Sequence, residues 1–160
     1  MSRANRQLIE ALRSAAQRIK DEAVKYAWGH HGSCNCGHLV QSVTSWTPSE
    51  IIRFAHTGSG EWSEMAEAWC PHSNAPVDYL VRQLIDLGLT PTDIANLERL
   101  NDREVLRSLP GGFRHLRHNR REDAALYMET LANMLEERLS DQILRKALHS
   151  VSAEPVGIEA

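Results

Sequence analysis

Apolar residues in this chain recur three and four positions apart, and nowhere do they alternate with polar ones over the length of a strand. That spacing is the period of a helix buried along one face. Leu8, Ile9, Leu12, Ala16, Ile19 and Ala23 predict a first helix over residues 4–27. Leu39, Val40, Val43 and Trp46 predict a short second one. Later helices carry their own start signals. Thr47-Pro48-Ser49-Glu50 combines a capping hydroxyl, a proline at the first helical position and a reciprocal carboxylate. Thr90-Pro91-Thr92-Asp93 repeats the pattern, and Asn101-Asp102-Arg103-Glu104 is a third instance. Gly88 stops a helix of about residues 76–87, and Pro110-Gly111-Gly112 stop one of about 102–109. The longest helix runs over about 121–149, with Met128, Leu131, Leu135 and Leu139 along one side. The expected fold is an all-α single-domain bundle of roughly six to eight helices over residues 1–151. Residues 152–160, with Pro155 and Gly157, are expected to be a flexible tail.

Composition removes several function classes. No apolar run approaches the roughly 18 residues that span a bilayer. A net charge of −3 is wrong for a wholesale nucleic-acid binder, though not for a local basic patch; no membrane partner is expected, and a protein- or nucleic-acid-interaction surface over residues 114–121 is an alternative reading. Three cysteines are too few, and odd in number, for a secreted disulfide framework. The start of the chain leads directly into an amphipathic pattern, without a signal-like apolar stretch. A reducing, cytoplasmic location is the expectation.

The unusual side chains gather between Trp28 and His72. All three cysteines, all four tryptophans and five of the eight histidines fall there. They concentrate in two loops, over residues 28–38 and 70–76. Thiolate and imidazole are the donors zinc prefers, and iron–sulfur clusters and copper(I) draw on the same side chains. Cys34, Cys36 and Cys70, with nitrogen from His30, His38 or His72, are the expected ligand set for one metal ion, with zinc first. The Cys-x-Cys spacing is unusual for a structural zinc site, so spacing alone does not choose four donors from these six. The ordinary reading is that the cysteines are small buried hydrophobes and the histidines make routine hydrogen bonds.

A second reading makes Cys36 a nucleophile. A helix opening at Gly37 or His38 would place its sulfur at a helix N-terminus, where the dipole lowers a thiol pKa, with His38 or His30 as base. The string Asn35-Cys36-Gly37-His38-Leu39-Val40 resembles, over six residues, the nucleophile helix of papain-like cell-wall peptidases. Those enzymes present their histidine from a β-sheet, which this periodicity does not provide, and the match is assigned to chance.

Two further features have bland readings. Glu61, Glu64 and Glu67 with His56 have hard-metal donor types, yet the chain lacks any Glu-x-x-His motif and a solvated acidic face explains them. One of them, Glu61 or Glu64, could act as base beside an open metal. Residues 99–121 hold seven arginines against Asp102 and Glu104, including the run Arg114-His115-Leu116-Arg117-His118-Asn119-Arg120-Arg121. A solvated face or partner contact fits this run better than a phosphate grip. The last helix is long enough to include a homodimer seam.

Overall fold

A computed structural model describes residues 2–55 and 60–153. Among them are eight helices and no strand: α1 (Arg6–Lys20), α2 (Asn35–Val43), α3 (Pro48–Ala55), α4 (Trp62–Glu67), α5 (Pro76–Leu87), α6 (Pro91–Arg99), α7 (Arg103–Arg107) and α8 (Arg121–Ser152). The all-α expectation holds. No helix of the described residues is long and apolar enough to cross a membrane. Most of the tail expected to be flexible, and His56, lie outside the described residues.

The helix starts are where local chemistry put them. Thr47 and Glu50 exchange hydrogen bonds ahead of α3, at 2.6 and 3.3 Å. Thr90 and Asp93 do the same ahead of α6, at 2.8 and 3.1 Å. At α7 the cap is Asp102 rather than Asn101, accepting from Glu104 N–H at 2.8 Å. Each such cap is worth about 1 kcal/mol.

α1 and α8 form the backbone of the bundle. They are packed together, and both have small buried residues: Ala11, Ala15 and Ala16 on α1, Ala124, Ala125 and Ala132 on α8. Arg13 reaches Glu136 at 2.7 Å and Lys20 pairs with Glu129, so the two run antiparallel. Arg121, at the first turn of α8, donates to the carbonyls of Ile19 (3.2 Å), Asp21 (2.8 Å) and Val24 (3.0 Å). Those bonds take the place of a continuing helix, and Asp21 Oδ1 also accepts from Ala23 N–H at 2.9 Å. Accordingly α1 stops at Lys20, seven residues before its predicted end at residue 27. α8 runs three residues further than predicted, to Ser152.

The second correction concerns residues 35–37, read from sequence as loop. They are the first turn of α2. Gly37 is there for clearance rather than for flexibility: a Cβ on it would lie 2.3 Å from the His31 carbonyl oxygen. Gly32 is packed as tightly, with its missing Cβ 2.4 Å from the Pro48 carbonyl oxygen. Together they let the segment around residues 31–37 fold back on itself and sit under α3. Gly37→Ala must push backbone aside, and is expected to cost about 1–3 kcal/mol. A lowered urea midpoint at unchanged m-value would register it.

Candidate functional site

α2 and α6 meet end to end, and each satisfies the other. The first N–H groups of a helix and its last carbonyls have no partner within the helix. Cys36 N–H, in the first turn of α2, donates to Glu98 Oε2 on α6 at 3.2 Å. In return, Asn35 Nδ2 donates to the Glu98 carbonyl at 2.9 Å and to that of Leu97 at 3.3 Å. Trp28 Nε1 adds a bond to the Glu98 carbonyl at 3.3 Å. Asn35 is held in turn by the Tyr26 hydroxyl, 2.6 Å from its Oδ1 and 2.7 Å from the His118 carbonyl oxygen.

The Glu98 side chain is thereby trapped in the core, 2% exposed. The thiols of Cys34 and Cys36 are its neighbours, and they donate to the carbonyls of His31, at 3.7 Å, and Ile94, at 3.6 Å. Burial pushes the Glu98 pKa up; the Cys36 N–H bond opposes this without overcoming it. The balance follows from magnitudes: a helix N-terminus contributes at most about 2 kcal/mol to an anion, whereas desolvating one costs several. The same burial, reinforced by the Glu98 charge, drives both thiols well above the ordinary range. Cys36 does sit at a helix N-terminus, as the nucleophile reading requires, but its surroundings favour thiol over thiolate.

One side of this cluster opens to a cavity of about 390 Å³, lined by Gly29, His31, Cys34, Gly60, Glu61, Trp62, Glu64 and Glu98. Trp62 is the largest fully buried side chain, and its Nε1–H donates to the His31 carbonyl at 3.1 Å. His31 Nε2 lies 2.6 Å from the Gly60 carbonyl oxygen, which ties the loop before α2 to the start of α4. Glu61 is half-buried at the wall and pairs with Arg99 at 3.5 Å; Glu64 is exposed at the mouth. Three carboxyl groups, one imidazole and one thiol therefore face the same space.

The six ligands expected from sequence are distributed differently. Cys34 and Cys36 belong to the cluster. His38 is buried, with Nε2 bonded to the Lys25 carbonyl at 3.0 Å and its pKa lowered by burial. His30 is half-buried, its pKa lowered by burial and then by Lys25 and His31. Cys70 and His72 are exposed on the turn before α5, where Cys70 N–H donates to Asp78 Oδ1 at 3.0 Å. Among the described residues, no three His, Cys, Asp or Glu side chains are placed to hold a metal ion. The structure adds His31 and Glu98, both absent from the sequence-derived set. Glu98 had a readable signal: it lies four residues after Ile94 and one after Leu97, on the apolar side of its helix.

Compared with protein-family models, curated proteins and solved structures, the chain matches none of them.

Two measurements test this geometry. In the native protein iodoacetamide should label Cys70 alone, with Cys34 and Cys36 reacting only after denaturation, as read by mass spectrometry; rapid native labelling of Cys36 would contradict the buried site. The second is pH dependence. Glu98 has a folded pKa above its unfolded one, so the folded state holds the extra proton. Its stabilising contribution is complete below the unfolded value near ~4.3 and is lost as pH rises through the folded value. Urea titrations should show wild type losing stability relative to Glu98→Gln as pH rises from about 4 to 7.

Proposed function

We propose that the protein is a small helical binding module whose ligand is a cation, received in the cavity beside Glu98. One observation carries this reading. A carboxyl group almost wholly removed from water, with no lysine, arginine or histidine partner among the described residues, lies on the wall of an accessible cavity. Buried acids ordinarily sit beside a fixed positive charge or stay protonated. A cation entering the cavity would supply the counter-charge that this carboxyl lacks.

Two kinds of cation share this chemistry. A zinc ion would draw on the sulfur of Cys34, the carboxylate of Glu98 and the imidazole of His31, the donor types zinc favours; these side chains would have to close around it. A small organic amine would instead place its ammonium among Glu98, Glu61 and Glu64, with Trp62 as an apolar floor. The volume is within the range of small-ligand pockets. Catalysis by a Cys36 thiolate has less support, because burial keeps the proton on sulfur.

Isothermal titration calorimetry with zinc chloride, and separately with a panel of primary diamines, tests the reading. Binding of one of the two is expected, with release of up to one proton, seen as a dependence of heat on buffer ionisation enthalpy. Glu98→Gln should weaken it by at least about tenfold, while Cys70→Ser should leave it unchanged. Zinc binding that survives Glu98→Gln and disappears with Cys70→Ser would overturn the assignment of the cavity. So would the absence of any heat with both probes at millimolar concentration.

A further inference from the structure

The arginines of residues 99–121 have different occupations. Arg99 pairs with Glu61, Arg120 with Glu122, and Arg121 serves the carbonyls that end α1. Arg114 donates to the Pro110 carbonyl at 2.8 Å, and Arg117 fixes its loop through its own N–H, on Asp123 Oδ2 at 2.7 Å. Arg103 and Arg107 have neither an ion pair nor a side-chain hydrogen bond among the described residues. They stand four residues apart on α7, on one face of the helix, where two like charges repel. The acids next to them in sequence are engaged elsewhere. Asp102 Oδ1 accepts from the N–H groups of Glu104 and Val105, and the Glu104 carboxylate pairs with Arg138 at 2.9 Å.

Both guanidinium groups line a cavity of about 580 Å³, with Asn101, Leu106, Phe113 and His115 as its other walls. None of the six is acidic. Phe113 reaches this cavity because the loop after α7 is fastened on either side of it. Leu109 is buried before it and Leu116 packs partly on the core after it. Between them Gly111 and Gly112 turn the chain at φ +86° and +94°, and Gly112 N–H donates to the Leu109 carbonyl at 2.9 Å. Phe113 is thereby held outward, 51% exposed, in an edge-to-face pair with His115 whose ring centroids are 5.2 Å apart.

We propose that this cavity is a second binding site, separate from the one beside Glu98, and that it takes a nucleoside phosphate group. The phosphate is held by Arg103 and Arg107, whose planar guanidinium groups match its oxygens and whose mutual repulsion it relieves. The base stacks on the outward ring of Phe113, the usual role of an aromatic set among arginines. Asn101 offers a donor and an acceptor in one amide, which suits the polar edge of a base or the hydroxyls of a sugar. The volume is within the range of small-ligand pockets. The same group occurs in a free mononucleotide and in a single strand of nucleic acid.

Amide chemical shifts of the full chain, followed by NMR during titration, read this directly. Adenosine monophosphate is the probe, because stacking on an aromatic ring is tolerant of base identity. It should shift the amides of Asn101, Gly112 and Phe113 saturably, with adenosine and inorganic phosphate each binding at least about tenfold more weakly. Phe113→Ala, and separately Arg103→Ala with Arg107→Ala, should weaken binding about tenfold. Neither change should move the urea midpoint, since these side chains are exposed. Arg145→Ala with Lys146→Ala removes the same charge from the end of α8 and should leave binding as it was. A single-stranded oligoadenylate separates the two sources. Tighter, salt-dependent binding than that of the mononucleotide assigns the site to a strand; equal affinity assigns it to the free nucleotide. No saturable shift with either probe at about millimolar concentration would overturn the proposal. So would inorganic phosphate binding as well as the nucleotide, or an affinity indifferent to Phe113→Ala.

Discussion

Two helix termini meet at the centre of this fold, and each provides what the other lacks. The Glu98 carboxyl receives an N–H that α2 cannot satisfy within its own first turn, and Asn35 and Trp28 supply donors to carbonyls that α6 leaves open at its last. Three segments distant in sequence are fastened there: residues 26–36, the end of α6 and the His118 carbonyl. A neutral hydrogen bond has a net worth of about 1 kcal/mol, but leaving a buried donor or acceptor unmatched costs up to about 3. The junction therefore works mainly as a constraint: α2 cannot shift along α6 without orphaning several buried groups at once.

That constraint explains the chemistry around it. Glu98 sits where an acid is useful as a cap and costly as a charge. It keeps its proton more readily than a surface glutamate, and the thiols of Cys34 and Cys36 keep theirs. On one side the carboxyl borders a cavity that Glu61 and Glu64 also line. As a cap alone, an asparagine or threonine would serve at lower cost. The cation-binding proposal rests on the geometry, a buried carboxyl on the wall of a cavity.

The long helix has a divided role for a similarly simple reason. Over its first half, small alanines let α8 lie close to α1, and Arg13, Lys20 and Arg121 fasten the pair along its edges. Beyond Leu139 the antiparallel α1 no longer runs alongside, because α1 begins only at Arg6, and the residues before it are bonded to the end of α5 through Arg3 and Asn5. Ile143, Leu144, Leu148 and Val151 are accordingly exposed.

Local sequence determined the helical class, most helix starts and the boundaries of α5, because caps, prolines and apolar spacing act within a few residues of themselves. It also marked the neighbourhood of the site, since Cys34 and the Glu61–Glu64 pair border the same chamber and Cys36 lies beside it. Only the tertiary structure decided that Cys70 and His72 stand apart on an exposed turn, that Gly37 is a helix residue needed for clearance, and that Arg121 ends α1 from 100 residues away. Above all it decided the meaning of Glu98. A glutamate in a short amphipathic helix is ordinary in sequence, and it becomes distinctive only when a helix N-terminus and two thiols from another part of the chain close over it. Capping and period are local properties of the backbone, whereas desolvation depends on everything that folds around a group.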